Sequence, residues 1–136
     1  MPLYAAYGSN LWHAQMARRC PGARVAGAAM LPGWRLVLRR FALIERDPAS
    51  AVPIGLWHVT PAHLLALDLH EGPHCYRRAL VDLPEPVAGE LQAAIYLEIA
   101  RREPPPAAEY VERLRRGYED FGFEPAPLEA ALAALG

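Results

Sequence analysis

The sequence predicts an α+β fold built on a curved or closed sheet, and three observations carry that expectation. Apolar segments of strand composition outnumber helical patterns, and the helical patterns are scattered among them. The chain has 136 residues, just over half of them apolar by composition, enough for one domain with a real core. It shows no internal repeat.

The elements follow in order. Leu3 to Tyr7 is short, apolar and aromatic, and reads as a buried strand ended by Gly8-Ser9-Asn10. Ser9 or Asn10 is placed to cap a helix from about Leu11 to Arg19, which Pro21-Gly22 stops. Val25 to Leu31 is apolar and extended in character, Pro32-Gly33 is a turn signal, and Trp34 to Arg39 alternates as a strand does. Phe41 to Glu45 makes a further short strand, and Asp47-Pro48 turns the chain again. Val52 to Val59 has strand composition, and Thr60-Pro61 supplies an N-cap followed by Pro at the first helical position. The helix that follows passes through His63, Leu64, Leu67 and Asp68 and stops at Gly72-Pro73. Tyr76 to Leu83 and Leu91 to Ile99 are the last strands. In the latter, Leu91, Ala93, Ile95, Leu97 and Ile99 share one face, with Gln92, Tyr96 and Glu98 on the other. The run Pro104-Pro105-Pro106 separates the strands from a helical tail beginning at about residue 107, so residues 1–136 are read as one domain. Tyr110, Leu114 and Phe121 keep helical spacing in that tail, as do Leu128, Leu132 and Leu135.

Composition narrows the function classes. A formal charge of −1 gives no general reason to expect nucleic acid, and arginine pairs such as Arg39-Arg40 read as solvated faces. Cys20 and Cys75 form no C-x-x-C pair, which suggests neither a zinc ribbon nor a disulfide framework. With no secretory pattern at MPLYAAYGSN and no membrane-length apolar run, the simplest expectation is a soluble cytoplasmic domain.

His70-Glu71-Gly72-Pro73-His74 matches H-E-x-x-H letter by letter. That zinc motif works because residues four apart share a helical face. Gly and Pro cost about 1 and about 3 kcal/mol in a helix interior relative to Ala. Pro73 also pushes Gly72 out of the α region. The helix is therefore expected to end near His70, and no metal site is expected. What remains is Glu71, a carboxylate at a helix end. The other half of a site lies near the N-terminus, where YAAYGSNL runs from strand through turn to helix. Backbone N–H groups of Gly8, Ser9, Asn10 and Leu11 on such a turn are able to face a common anion, and an ordinary capped turn is the competing reading.

Tyr7-Gly8-Ser9-Asn10-Leu11 after an apolar strand resembles the first motif of the γ-glutamylcyclotransferase-like family. Gly55-Leu56-Trp57, then Leu67-Asp68-Leu69-His70-Glu71-Gly72, then Tyr76-Arg77-Arg78 resemble its middle segment in the same order, and Tyr110 after the proline run also has a counterpart. The similarity covers nearly the whole chain, and its lack of long insertions is closest to compact bacterial members. The resemblance implies a mixed β-barrel with peripheral helices and a pocket at one mouth. It implies cleavage of a small γ-glutamyl amide, a γ-glutamylamine or γ-glutamyl amino acid, by intramolecular cyclisation to 5-oxoproline and a free amine. Glu71 carries over as the acid/base, Tyr7 and the amides of Gly8, Ser9, Asn10 and Leu11 as the cradle, and Tyr76, Tyr96 and Tyr110 as pocket walls.

The chemistry agrees with that transfer. A substrate ammonium of pKa near 8 must lose its proton before it attacks, which a carboxylate in hydrogen-bond reach accomplishes without metal or cofactor. Amides on the turn suit either the α-carboxylate or the developing oxyanion. Ser9 has no His-Asp partner in view, and His74 and Cys75, adjacent on an extended chain, point to opposite faces. His13, His58 and His63 read as surface or packed residues. A non-catalytic binding or interaction module on the same fold, and acyl transfer to another acceptor, are the alternatives; retention of Glu71 favours catalysis.

Overall fold

The computed structural model describes residues 2–71, 76–98 and 105–135. Its strands are β1 (Leu3–Ala6), β2 (Arg24–Leu38), β3 (Ala42–His58), β4 (Tyr76–Val87) and β5 (Glu90–Glu98). They form one sheet in the order β2-β3-β1-β5-β4. The N-terminal strand thus lies in the middle, antiparallel to β3 and parallel to β5 through Tyr4 and Ala94. All four of its residues are buried, which explains an apolar run without alternation.

Two expected turns prove to be irregularities inside longer strands. Pro32-Gly33 and Asp47-Pro48 do not reverse the chain. Pro32 pairs with Ala51 and Trp34 with Arg46, so β2 and β3 both bulge at that level and continue. Gly33 has φ +84°, a left-handed conformation that glycine adopts without steric cost. Pro32 is tolerated because β2 is an edge strand. Opposite, the Asp47 carboxylate accepts the Ala49 N–H at 3.0 Å and the Ser50 hydroxyl at 2.7 Å. The turn chemistry was real, but it builds a bulge.

The sheet is mixed, as the resemblance implied, yet it is an open sheet and the word barrel applies only loosely. Among the described residues β2 and β4, the two edges, have no strand pairing with each other. They meet instead through side chains: a Cβ on Gly27 of β2 would lie 2.9 Å from Val87 Cγ1 on β4.

The helices are α1 (His13–Arg19), α2 (Pro61–Glu71), α3 (Ala108–Phe121) and α4 (Ala126–Ala133). α2 begins as expected, with the Thr60 hydroxyl accepting the His63 N–H at 3.1 Å and Pro61 in first position. It ends at Glu71. Gly72, Pro73, His74 and Cys75 lie outside the described residues, as do Ile99 and Pro104, so the expectations placed on them have no structural counterpart here.

The cap expected for the first helix is different. Ser9–Leu11 forms a separate 3₁₀ turn, α1 starts only at His13, and neither Ser9 nor Asn10 caps it with a side chain. The His13 N–H is held by Asp120 Oδ2 of α3 at 2.9 Å. α3 lies directly on the turn: a Cβ on Gly117 would stand 2.4 Å from Leu11 Cβ and 2.9 Å from the backbone of Leu11 and Trp12. Only glycine lets the helix backbone come this close. No helix of the described residues is long and apolar enough to cross a membrane.

Candidate active site

β1 brings Tyr4, and Tyr7 just past its end, to one mouth of the sheet, and the 3₁₀ turn follows at once. A pocket opens there, with about 500 Å³ of space including its open mouth. From the turn it is lined by Tyr7, Gly8, Ser9 and Asn10; from α2 by Glu71 and its neighbour His70. Tyr76 of β4, Tyr96 of β5 and Tyr110 of α3 complete the set expected from sequence. Residues as far apart in the chain as Tyr4 and Tyr110 therefore share one cavity.

Leu11 does not belong to the cavity. Its N–H donates to the Gly8 carbonyl at 3.0 Å, closing the turn, and its side chain is fully buried against α3. Of the four amides expected to form a cradle, that of Leu11 is thus engaged within the turn, which leaves those of Gly8, Ser9 and Asn10 as candidates. Their N–H groups make no backbone hydrogen bond among the described residues outside regular elements.

The tyrosines form the wall, and most of their hydroxyls are tied to backbone. Tyr7 donates to the Tyr96 carbonyl at 2.5 Å, and Tyr76 donates to the Ala42 carbonyl at 2.5 Å. The Ala42 N–H in turn donates to the Tyr110 hydroxyl at 3.0 Å, so the start of β3 is gripped from β4 and α3. Tyr96 donates to Asp68 Oδ1 at 2.6 Å, and Arg78 stands 3.5 Å from Oδ2 of the same carboxylate. Asp68 is one turn before Glu71, so this contact fixes the end of α2 against the sheet. Tyr96 had been set on the face of its strand opposite the apolar one. It is nevertheless buried, because that face lines the pocket while Ile95 faces the core.

Electrostatics separate these groups. Burial pushes the Glu71 carboxyl up from its ordinary 4.5 to about 7, with the Arg19 charge pulling the other way. Burial also raises Tyr4 and Tyr7 well above the ordinary phenol value, and raises Tyr110 to about 12; the negative charge of Glu71 adds to all three. At neutral pH these hydroxyls stay protonated and serve as hydrogen-bonding groups, whereas Glu71 is poised to exchange a proton.

Tyr4, Arg19, Phe41, Ala42 and His70 also line the pocket and had not been singled out as its walls. Arg19 carried a legible signal: with Gln15 it makes an i, i+4 polar pair on the helix following the glycine turn. Gln15 Nε2 donates to Ser9 Oγ and Asn10 Oδ1, both at 2.8 Å, and Arg19 Nη1 reaches Asn10 Oδ1 at 2.7 Å. Phe41 and Ala42 carried none, since only long-range contacts bring them in. Ser9 Oγ faces Gln15 and Tyr110, neither of which is a base. His13 is packed between Trp57 and Phe121 at centroid distances of 5.0 Å, and His63 bonds to nearby Thr60 and to the sequence-distant Pro21 carbonyl. Among the described residues no group of three His, Cys, Asp or Glu side chains gathers around a possible metal position.

A mixed open sheet with a tyrosine-walled pocket, a glycine turn on one side and a carboxyl near neutrality on the other defines a small-molecule site suited to proton transfer. Residues 4–113 match the model of the family described as γ-glutamyl cyclotransferase, AIG2-like, and the chain belongs to that family. No curated protein matches it. Among solved structures it is similar to a γ-glutamyl cyclotransferase, at 24% identity and a TM-score of 0.82, over 96% of this chain and 86% of that one. An uncharacterized protein from Homo sapiens is similar over the same shares, at 24% identity and a TM-score of 0.79. YkqA from Bacillus subtilis matches at 21% identity and a TM-score of 0.73, over 98% of this chain and 54% of that one. These likenesses establish the fold, and the family match makes the chain a γ-glutamyl cyclotransferase-like enzyme.

Proposed function

We propose that the protein cleaves a γ-glutamyl amide, a γ-glutamylamine or γ-glutamyl amino acid, by cyclising it to 5-oxoproline with release of the free amine. The reading treats residues 1–136 as one functional unit acting on a small cytoplasmic metabolite. Glu71 is its acid/base; the amides of Gly8, Ser9 and Asn10 with Tyr7 are the cradle; Tyr76, Tyr96 and Tyr110 are the wall. One observation carries it: Glu71, at about pKa 7, shares a pocket with the glycine turn.

The substrate α-ammonium, with pKa near 8, gives its proton to Glu71, a transfer uphill by roughly one pKa unit, or about 1.4 kcal/mol. The freed amine attacks the γ-carbonyl carbon and forms the lactam C–N bond. As the old amide C–N bond breaks, Glu71 returns the proton to the departing nitrogen. It then takes the second proton from the cyclised nitrogen, leaving the neutral lactam, and passes it to the released amine, which departs as an ammonium. Oxyanion stabilisation by a turn amide is typically worth about 3–4 kcal/mol. Because every proton in the scheme passes through Glu71, the reading requires no metal.

The test is a panel of γ-glutamyl compounds assayed for 5-oxoproline, with and without chelator. Turnover insensitive to chelator is expected on at least one. Glu71→Gln keeps shape and hydrogen bonding but cannot take the proton, so kcat should fall by roughly 10²–10⁴ with binding retained. Near wild-type cyclisation by a folded Glu71→Gln protein would remove Glu71 from the mechanism. Absence of turnover across the panel would return the protein to a binding role.

A further inference from the structure

The pocket holds opposite charges that do not neutralise each other. Arg19 enters from the end of α1 and Glu71 from the end of α2, and both line the cavity. Each feels the other's field, yet no direct ion pair joins them among the described residues. Arg19 is held from one side only. Its Nη1 donates to Asn10 Oδ1, Asn10 Nδ2 donates to the Tyr4 hydroxyl at 2.9 Å, and Gln15 braces the same Oδ1. Gln15 is itself 2% exposed and held from behind by Arg113 Nη1 at 2.9 Å. The guanidinium is therefore aimed by a rigid buried chain, while most of its five donors keep no protein partner among the described residues. A planar cation so placed, permanently charged, suits a carboxylate accepted edge-on.

We propose that Arg19 is the receptor for the substrate's α-carboxylate, so that Arg19 and Glu71 together select a zwitterionic α-amino-acid head. The inference rests on the cyclisation reading and narrows its substrate class. The γ-glutamyl unit must carry a free α-carboxylate as well as a free α-amine; esters and carboxamides at that position are excluded. Seating the carboxylate on Arg19 places the ammonium toward Glu71. It also leaves the Gly8, Ser9 and Asn10 amides for the oxyanion that develops at the γ-carbon.

The experiment varies ligand and protein together. Affinities for 5-oxoproline and for its carboxamide are measured by calorimetry on the wild type, Arg19→Gln, Arg19→Lys and the exposed neighbour control Arg18→Gln. Turnover is measured on a γ-glutamyl amide and on its α-carboxamide analogue. Wild type should prefer the carboxylate by roughly 10- to 100-fold, the range expected of charge-assisted hydrogen bonds. Arg19→Gln should abolish that preference, Arg19→Lys should restore part of it, and Arg18→Gln should leave it intact. A preference that survives in Arg19→Gln overturns the assignment, while turnover of the carboxylate substrate would leave the cyclisation reading standing. If Arg19→Gln does not fold, the wild type and Arg19→Lys decide: equal wild-type affinity for acid and carboxamide overturns it. Neither binding nor turnover in the wild type overturns both readings.

Discussion

At Glu71 a stability cost and a catalytic property are the same fact. Its carboxyl is raised from 4.5 to about 7, with Arg19 opposing the shift and Tyr4, Tyr7 and Tyr110 facing it as neutral groups. The sign follows from linkage. Below pH 4.5 the group is protonated whether the chain is folded or not, and it costs nothing. Between about 4.5 and 7 the unfolded chain ionises first, so stability falls as pH rises. Above 7 the full penalty stands, at most about 3 kcal/mol for a side chain that is only partly exposed. Glu71→Gln should therefore stabilise the fold at pH 8 and barely change it at pH 4, as read by denaturant melts at both values. An equal change at both pH values would mean that ionisation of Glu71 is not penalised. In the wild type, the acid limb of kcat/KM should titrate near 7. Glu71 could be singled out from sequence because it closes a helical pattern just ahead of a glycine and a proline. Tyr4, by contrast, was hidden inside a strand that looked like core, since an aromatic facing a pocket and one facing the core are the same letter.

At the scale of elements, the glycine turn is shaped from outside. The sequence suggested a self-capped helix start; the cap comes from Asp120, and the packing comes from Gly117. Ser9 and Asn10 had the right chemistry for caps, but Gln15, Arg19 and Tyr4 occupy their side chains instead. Such competition between partners far apart in the chain leaves no local trace. Two glycines separate fold from site. A Cβ on Gly117 would strike the backbone of Leu11 and Trp12, whereas one on Gly55 would strike side chains only, at 2.4 Å from Phe121 Cζ and 2.7 Å from Leu11 Cδ2. Both alanine variants should lose about 1–3 kcal/mol to overpacking. Only Gly117→Ala must move the turn, so it should raise KM severalfold while Gly55→Ala leaves KM near wild type. Thermal melts paired with kinetics read both quantities. An unchanged KM in Gly117→Ala would show that α3 is not what sets the turn.

For the whole molecule, the class of the fold and most of the pocket could be read from the sequence, because both depend on short motifs bounded by glycine or proline. Closure of the sheet could not: whether β2 and β4 pair or merely touch at Gly27 and Val87 depends on accumulated twist and on two bulges. The role of the tail was likewise only half visible. Its first helix is part of the site, since Tyr110 lines the pocket and holds the Ala42 N–H. Its second helix packs on β2 through buried Leu128 and Ala131, pairs Glu129 with Arg115, and contributes no lining residue to the pocket. The match to the family model also stops at residue 113. Ending the chain after Glu124 should therefore cost stability without touching chemistry. Loss of a buried leucine alone is worth about 1.5–3 kcal/mol, and the newly exposed face of β2 adds to it. Urea unfolding should show a lower midpoint, while KM and kcat at a temperature where the shortened chain is still folded should match the full protein. If KM rose in a shortened chain of nearly unchanged stability, α4 would have to act on the pocket through β2, and the division of the tail into a site helix and a support helix would fail.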